Sequence, residues 1–226
     1  MFKDIVVGVC ALSVVGSACG SIVPFTEEFG VGVSNWRDVD GADTLTWFAA
    51  GGPDGSSYVS TTYTVPDPIP PFGAVLFRGQ DAFDSSNDSF VGNWITDGVR
   101  EFSFWVRHDA VEALGLFARF ASPSNFPGAV GISFVPVEPN TWTEIIIPIF
   151  ADSPNIILEG SPFNDVFSNI GNLQIGASVT ADMIGQTITI DLDKVSITPA
   201  PGALGLLAVA GLFGSRKRRR VLTARR

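Results

Sequence analysis

Between its two ends this sequence predicts an all-β fold: a single antiparallel β-sandwich (jelly roll) flanked by an N-terminal signal helix and a C-terminal transmembrane helix. Three observations predict it. Short runs that alternate apolar and polar residues recur between clusters of Gly, Pro, Asn and Asp. No helix-period pattern of useful length occurs between residues 25 and 197. Uncharged, apolar segments stand at both ends. The chain therefore divides into a signal peptide (1–20), a sandwich domain (21–197) and a tail (198–226).

The N-terminus, MFKDIVVGVCALSVVGSACGSIVPF, has a cationic start at Lys3, an apolar run from Ile5 to Ala18 and small residues from Gly16 to Gly20. That is the layout of a secretory signal peptide with cleavage near Ala18 or Gly20. The run falls short of the roughly 20 residues a spanning helix needs. Both cysteines, Cys10 and Cys19, lie here, so the mature body carries no disulfide and depends on its core. A lipoprotein reading, with Cys19 acylated, is the lesser alternative, because Gly16 stands where an aliphatic residue is required.

The body is about 177 residues long, enough for one domain with a sizeable core. Its strand candidates are SYVSTTYTV, AVLFRG, REFSFWVRH, ALGLFARFA, GAVGISFVPV, TWTEIIIPI, NLQIGASVT and TITIDLDKVSI. Four prolines make VPDPIPPFG a loop. In REFSFWVRH, alternation puts Phe102, Phe104 and Val106 on one face, and Glu101, Ser103, Trp105 and Arg107 on the other. In ALGLFARFA it separates Leu114, Leu116, Ala118 and Phe120 from Gly115, Phe117 and Arg119. The intervening HDAVE is of hairpin length. Pairing Arg107 with Ala113 sets Trp105 opposite Gly115 and Glu101 opposite Arg119. Many short strands with turn signals, and no internal repeat, give the sandwich.

Charge narrows the function classes. Between residues 21 and 214 there are 22 acidic and six basic residues, a net −16, while residues 216–226 carry +7. An acidic body repels phosphate backbones, so no nucleic-acid partner is expected.

The tail is uncharged from Val195 to Ser215, and its most apolar part, 202–214, would be about 20 Å long as a helix against a hydrocarbon core of about 30 Å. The basic cluster Arg216, Lys217, Arg218, Arg219 and Arg220 then acts as a stop-transfer signal, retained on the cytoplasmic side. Pro199-Ala200-Pro201, the Gly/Ala/Leu segment and SRKRRR in this order resemble a PEP-CTERM protein-sorting signal over 20–28 residues. Ala200 departs from the Glu of that family's name. The resemblance implies a bacterial protein exported through the inner membrane to the envelope, surface or extracellular matrix. It also implies recognition by an exosortase-like membrane protease acting near Pro199–Pro201, and contact with the lipid bilayer through the C-terminal helix.

EEFGVGVSNW, GSSYVSTTY, VREFSFWVRH, NTWTEIIIPI and ITIDLDKVSI, in that order, resemble galactose-binding-like and carbohydrate-binding-module jelly rolls. The resemblance implies one structural calcium tying the first strand to the last. Glu28 and Asp193 match its positions, with Glu27 and Asp191 as neighbours and Gly30 where another acid would stand. Sugar binding would need exposed aromatic platforms with polar side chains nearby, and Trp105, Arg107, Phe117 and Arg119 are the candidates on the face opposite the aliphatic one. The competing reading buries both faces, one inside the sandwich and one under a loop. Trp36, Trp47, Trp94 and Trp142 read as core anchors.

Catalytic constellations are scarce. His108, the single histidine, falls in the expected hairpin loop, and the mature body has no cysteine nucleophile or phosphate-binding motif. NWRDVDGADTL crowds three Asp residues but lacks an EF-hand's spacing. The leading expectation is a non-catalytic surface or matrix protein held and processed through its tail. The alternative is a carbohydrate-binding module for extracellular polysaccharide, and the third is a secreted glycan hydrolase.

Overall fold

The computed structural model describes residue 21 and residues 23–199. Two antiparallel sheets pack face to face. The first contains β1 (Phe25–Glu27), β2 (Thr46–Phe48), β3 (Tyr58–Thr64), β5 (Val99–His108), β8 (Thr143–Pro148) and β11 (Thr187–Pro199), in the order β2-β3-β11-β5-β8 with β1 also beside β11. The second contains β4 (Ala74–Gln80), β6 (Gly115–Ala121), β7 (Gly128–Ile132), β9 (Ile156–Leu158) and β10 (Asn172–Ser178), in the order β4-β10-β6-β7-β9. The longest helix among the described residues is α1 (Phe163–Phe167), five residues long.

The inner faces follow the alternation read from the sequence. Phe102, Phe104 and Val106 of β5 and Leu116, Ala118 and Phe120 of β6 are all buried. Trp94 joins them across the interface, 5.4 Å from Phe120 and 6.2 Å from Phe102 between ring centroids. The first pair is edge-to-face and the second stacked, and such aromatic contacts stabilise beyond the area they bury. Trp36 anchors the side of the sandwich, lying against Gly79 and donating its indole N–H to Ser86 Oγ at 2.9 Å. Trp36 and Trp94 are thus core residues, whereas the expectation fails for Trp47, which is exposed, and for Trp142, which is half-buried.

The expected hairpin is corrected. β5 and β6 do not pair: β5 lies between β11 and β8, and β6 between β10 and β7. Their apolar faces meet across the sandwich instead of side by side. His108 helps to set this arch, because it is the buried last residue of β5 and not a loop residue. Its Nε2 lies 2.9 Å from Val137 O, and its Nδ1 accepts the Ala110 N–H at 3.2 Å.

β11 is the centre of the first sheet. Its first half pairs with β3 and its second half with β1, in the register Phe25↔Ile197. The change of partner falls at Lys194, whose φ of 48° marks a bulge against β5 between Asp193 and Ser196. The strand continues to Pro199, opposite Val99, two residues past the expected domain end. The connections β3–β4, β5–β6 and β10–β11 all cross between sheets at one end. The chain ends leave at the other, where the Ser21 N–H meets Asp97 Oδ2 at 3.0 Å.

No helix of the described residues is long and apolar enough to cross a membrane. The expected signal helix, the segment 202–214, Ala200, Pro201 and the basic cluster Arg216–Arg220 lie outside the described residues.

Candidate functional site

The four platform candidates divide between the two outer faces. Trp105 and Arg107 of β5 lie on the first sheet, in register with Asp193 and Asp191 of β11. Phe117 and Arg119 of β6 lie on the second, in register with Gly176 and Gln174 of β10.

The first sheet's outer face is occupied by its own chain. Arg107 contacts Asp191 at 2.7 Å, and its guanidinium lies 4.8 Å from the Trp142 ring centroid and 5.3 Å from that of Tyr58. Phe48 stacks on Tyr58 at 4.8 Å. The segment between β2 and β3 runs over this layer: Trp142 donates to Gly51 O at 2.9 Å, and Gly52 sits directly on Asp193. The Trp142 face that would meet a sugar ring already carries a cation.

Of the two calcium candidates, Asp193 lies beneath that segment, and Glu28 is exposed nearby. Asp193 is wholly buried, and its carboxyl is pushed up to about 6, first by burial, with the charge of Glu28 adding to the shift. Hydrogen bonds from Ser56 Oγ and the Lys194 N–H oppose it. The Lys194 ammonium stands in as a local cation, held 2.6 Å from Asp54 Oδ2. That hydrogen bond raises its pKa, and the charges of Asp54, Glu28 and Asp193 act in the same direction. The neighbouring acids are engaged elsewhere: Glu27 accepts the Phe29 N–H at 2.8 Å, and Asp191 pairs with Arg107. Among the described residues no group of three or more His, Cys, Asp and Glu side chains is placed to hold a metal. The donors are hard oxygens of the kind calcium takes. Glu28 and Asp193 would supply two of its six to eight ligands, with backbone carbonyls supplying others.

The second sheet's outer face is open. A cleft of about 800 Å³ crosses it, lined by Val75 of β4, Ser178 of β10, Phe117 and Arg119 of β6, Val130 and Ile132 of β7, and Ile157 of β9. Four strand spacings make this floor about 19 Å wide. Phe117 lies over Gly176, its register partner, and over Gly73; a methyl group on Gly73 would come within 2.8 Å of the ring. Two glycines thus let a ring lie flat on the sheet and leave the cleft open above it.

The wall comes from the proline-rich loop. Phe72 lines the cleft and is 89% exposed. Pro70 and Pro71 precede it, and Gly73 follows with φ of 85°, its N–H donating to Pro70 O at 3.1 Å. Few backbone rotations remain free in such a segment, so the ring is held at the mouth with little further loss of entropy on binding.

Only two of the lining residues are charged, and they neutralise each other. Arg119 Nε and Nη2 each lie 2.7 Å from a Glu159 oxygen, and Nη1 and Nη2 donate to Asn125 Oδ1 and O at 2.7 and 2.9 Å. Gly128 leaves room for the pair, since a methyl group there would stand 2.8 Å from Arg119 Nη2. Beside Arg119 on the same row come Gln174 and Arg78. Gln174 is 6% exposed and is not among the residues that line the cleft. Arg78 donates to Val39 O at 3.0 Å; burial lowers its pKa, Asp38 and Asp40 raise it, and Arg119 lowers it further.

No protein-family model matches the chain, and no curated protein does. Among solved structures it is similar to the CBM22-1 and GH10 modules of Clostridium thermocellum xylanase 10B, a complex with xylohexaose (16% identity, 77% of this chain, 28% of that chain, TM-score 0.47). It is similar also to the family 11 carbohydrate-binding module of the Clostridium thermocellum cellulase Lic26A-Cel5E (14% identity, 80% and 97%, TM-score 0.43). A third is the CBM22-1 xylan-binding domain of Paenibacillus barcinonensis Xyn10C (13% identity, 81% and 99%, TM-score 0.46). The chain spans little more than a quarter of the xylanase 10B protein.

Proposed function

We propose that this chain is an exported polysaccharide-binding protein without catalytic activity, and that its ligand lies in the cleft on the second sheet. The observation that carries this is the open cleft itself: apolar along most of its length, floored by Phe117 and walled by the exposed ring of Phe72. Apolar side chains can lie against the C–H faces of sugar rings, and Ser133 and Ser178 supply neutral hydrogen-bonding groups. Hydrolysis would need two carboxyl groups flanking the bond, about 5–9.5 Å apart. This cleft is lined by one carboxylate, Glu159, which is spent on Arg119.

The proposal extends to the ends of the chain. Pro199, Ala200 and Pro201 would be the sorting segment, and Arg216–Arg220 would hold the tail inside the membrane. Both ends of the described chain leave the sandwich at the end away from Phe72, so an anchored domain would present its cleft outward. One calcium held by Glu28 and Asp193 completes the reading. Affinity electrophoresis against a panel of polysaccharides tests it, with retardation by at least one polymer expected and uniform mobility as the contrary result.

A further inference from the structure

We infer that the cleft selects uncharged polymers and rejects carboxylated or sulfated ones. This rests on the cleft being the polysaccharide site. An anion receptor needs a cation with free N–H groups. Arg119 has four of its five N–H groups committed, two to Glu159 and two to Asn125. Its charge is neutralised at contact distance, and the packing of the pair against Gly128 fixes it there.

The other cations near this face are similarly engaged. Arg78 bonds Val39 O and feels Asp38 and Asp40, and Arg37 pairs with Asp43 at 3.0 Å. The body as a whole carries −16, so a polyanion approaches against the long-range field and finds no free compensating charge on arrival. Against this, the neutral hydroxyls of Ser133 and Ser178 line the cleft and suit a sugar hydroxyl. A neutral sugar chain loses nothing to the field and can bond those groups.

The test uses matched polymers that share a backbone and differ in charge: hydroxyethyl- and carboxymethylcellulose, arabinoxylan and glucuronoxylan, agarose and carrageenan. Affinity electrophoresis is run at low and high salt. The expected result at low salt is a preference of roughly tenfold or more, about 1.4 kcal/mol, for the neutral member of the pair that binds, whose binding changes little with salt while the preference narrows at high salt. Equal or tighter binding of the charged member, weakening with salt, overturns the selection while leaving the cleft as the binding site. Failure to bind any polymer overturns both. Glu159→Gln frees the Arg119 charge and is expected to narrow the preference by about tenfold. A folded variant, checked by melting, with an unchanged preference excludes the ion pair as the selector.

Discussion

The ring of Phe117 lies across Gly176, its register partner on the next strand, and against Gly73 at the start of β4. A methyl group on Gly176 would overlap Phe117 Cζ and the Ala74 carbonyl. Gly176→Ala is therefore expected to cost about 1–3 kcal/mol and to push the ring into the cleft, weakening binding as well. Gly30→Ala, with nothing within 4 Å, serves as the control. Thermal melting of both variants decides it; equal midpoints would mean that the floor yields.

Asp193 makes stability pH-dependent in the presence of chelator. Its folded pKa of about 6 stands above the ordinary 3.8, so the fold favours the protonated form. The stabilising contribution is fully present below the unfolded value and is lost as pH rises through 6. At about 1.36 kcal/mol per unit, its ceiling is near 3 kcal/mol. Asp193→Asn keeps the shape and removes that slope, so near neutral pH it should melt higher than wild type in chelator. A lower midpoint would show that the ionised form is the stabilising one.

Calcium bound as proposed would reverse that relation, because an ion between Glu28 and Asp193 would favour both carboxylates. Calcium at 100 times its dissociation constant should raise stability by about 2.7 kcal/mol. Glu28→Gln and Asp193→Asn should each abolish the rise. A wild-type midpoint indifferent to calcium and chelator removes the ion.

The tail prediction is geometric. A cut near 199–201 leaves β11 whole, whereas ending the chain at Val195 removes Ile197, which is buried and paired to both β1 and β5. Intact mass of the native protein should place its ends near residue 21 and near residues 199–201. Ending at Pro201 should leave the melting midpoint of the folded domain unchanged, while ending at Val195 should cost at least ~2–5 kcal/mol. A native mass matching all 226 residues would exclude processing at both ends.

Alternation along β5 and β6 made the sandwich legible, because the apolar residues of their inner faces recur at period two. Partner choice was not legible. A hairpin between β5 and β6 satisfies local pattern and loop length as well as the arch does. What decides between them is the arrival of β11, some 80 residues later, beside β5. β2 and β9 are three-residue strands; β2 is exposed throughout, and neither carries a pattern to read.

Half of the glycan candidates fell on the open face. Phe117 and Arg119 line the cleft, while Trp105 and Arg107 belong to the covered sheet. Phe72 and Glu159 were passed over because a proline-rich loop and a short edge segment give no strand signal. Gly176 inside a strand pattern was the available hint, since a glycine there commonly marks a close approach by another group.

Paired substitutions on the two faces test the central claim most directly. Phe72→Ala removes an exposed ring and should leave stability within about 0.5 kcal/mol. With the polysaccharide that binds best, calorimetric titration should show Phe72→Ala weakening affinity by about tenfold and Trp105→Ala leaving it unchanged. Loss with Trp105→Ala and retention with Phe72→Ala would move the site to the first sheet and contradict the cleft.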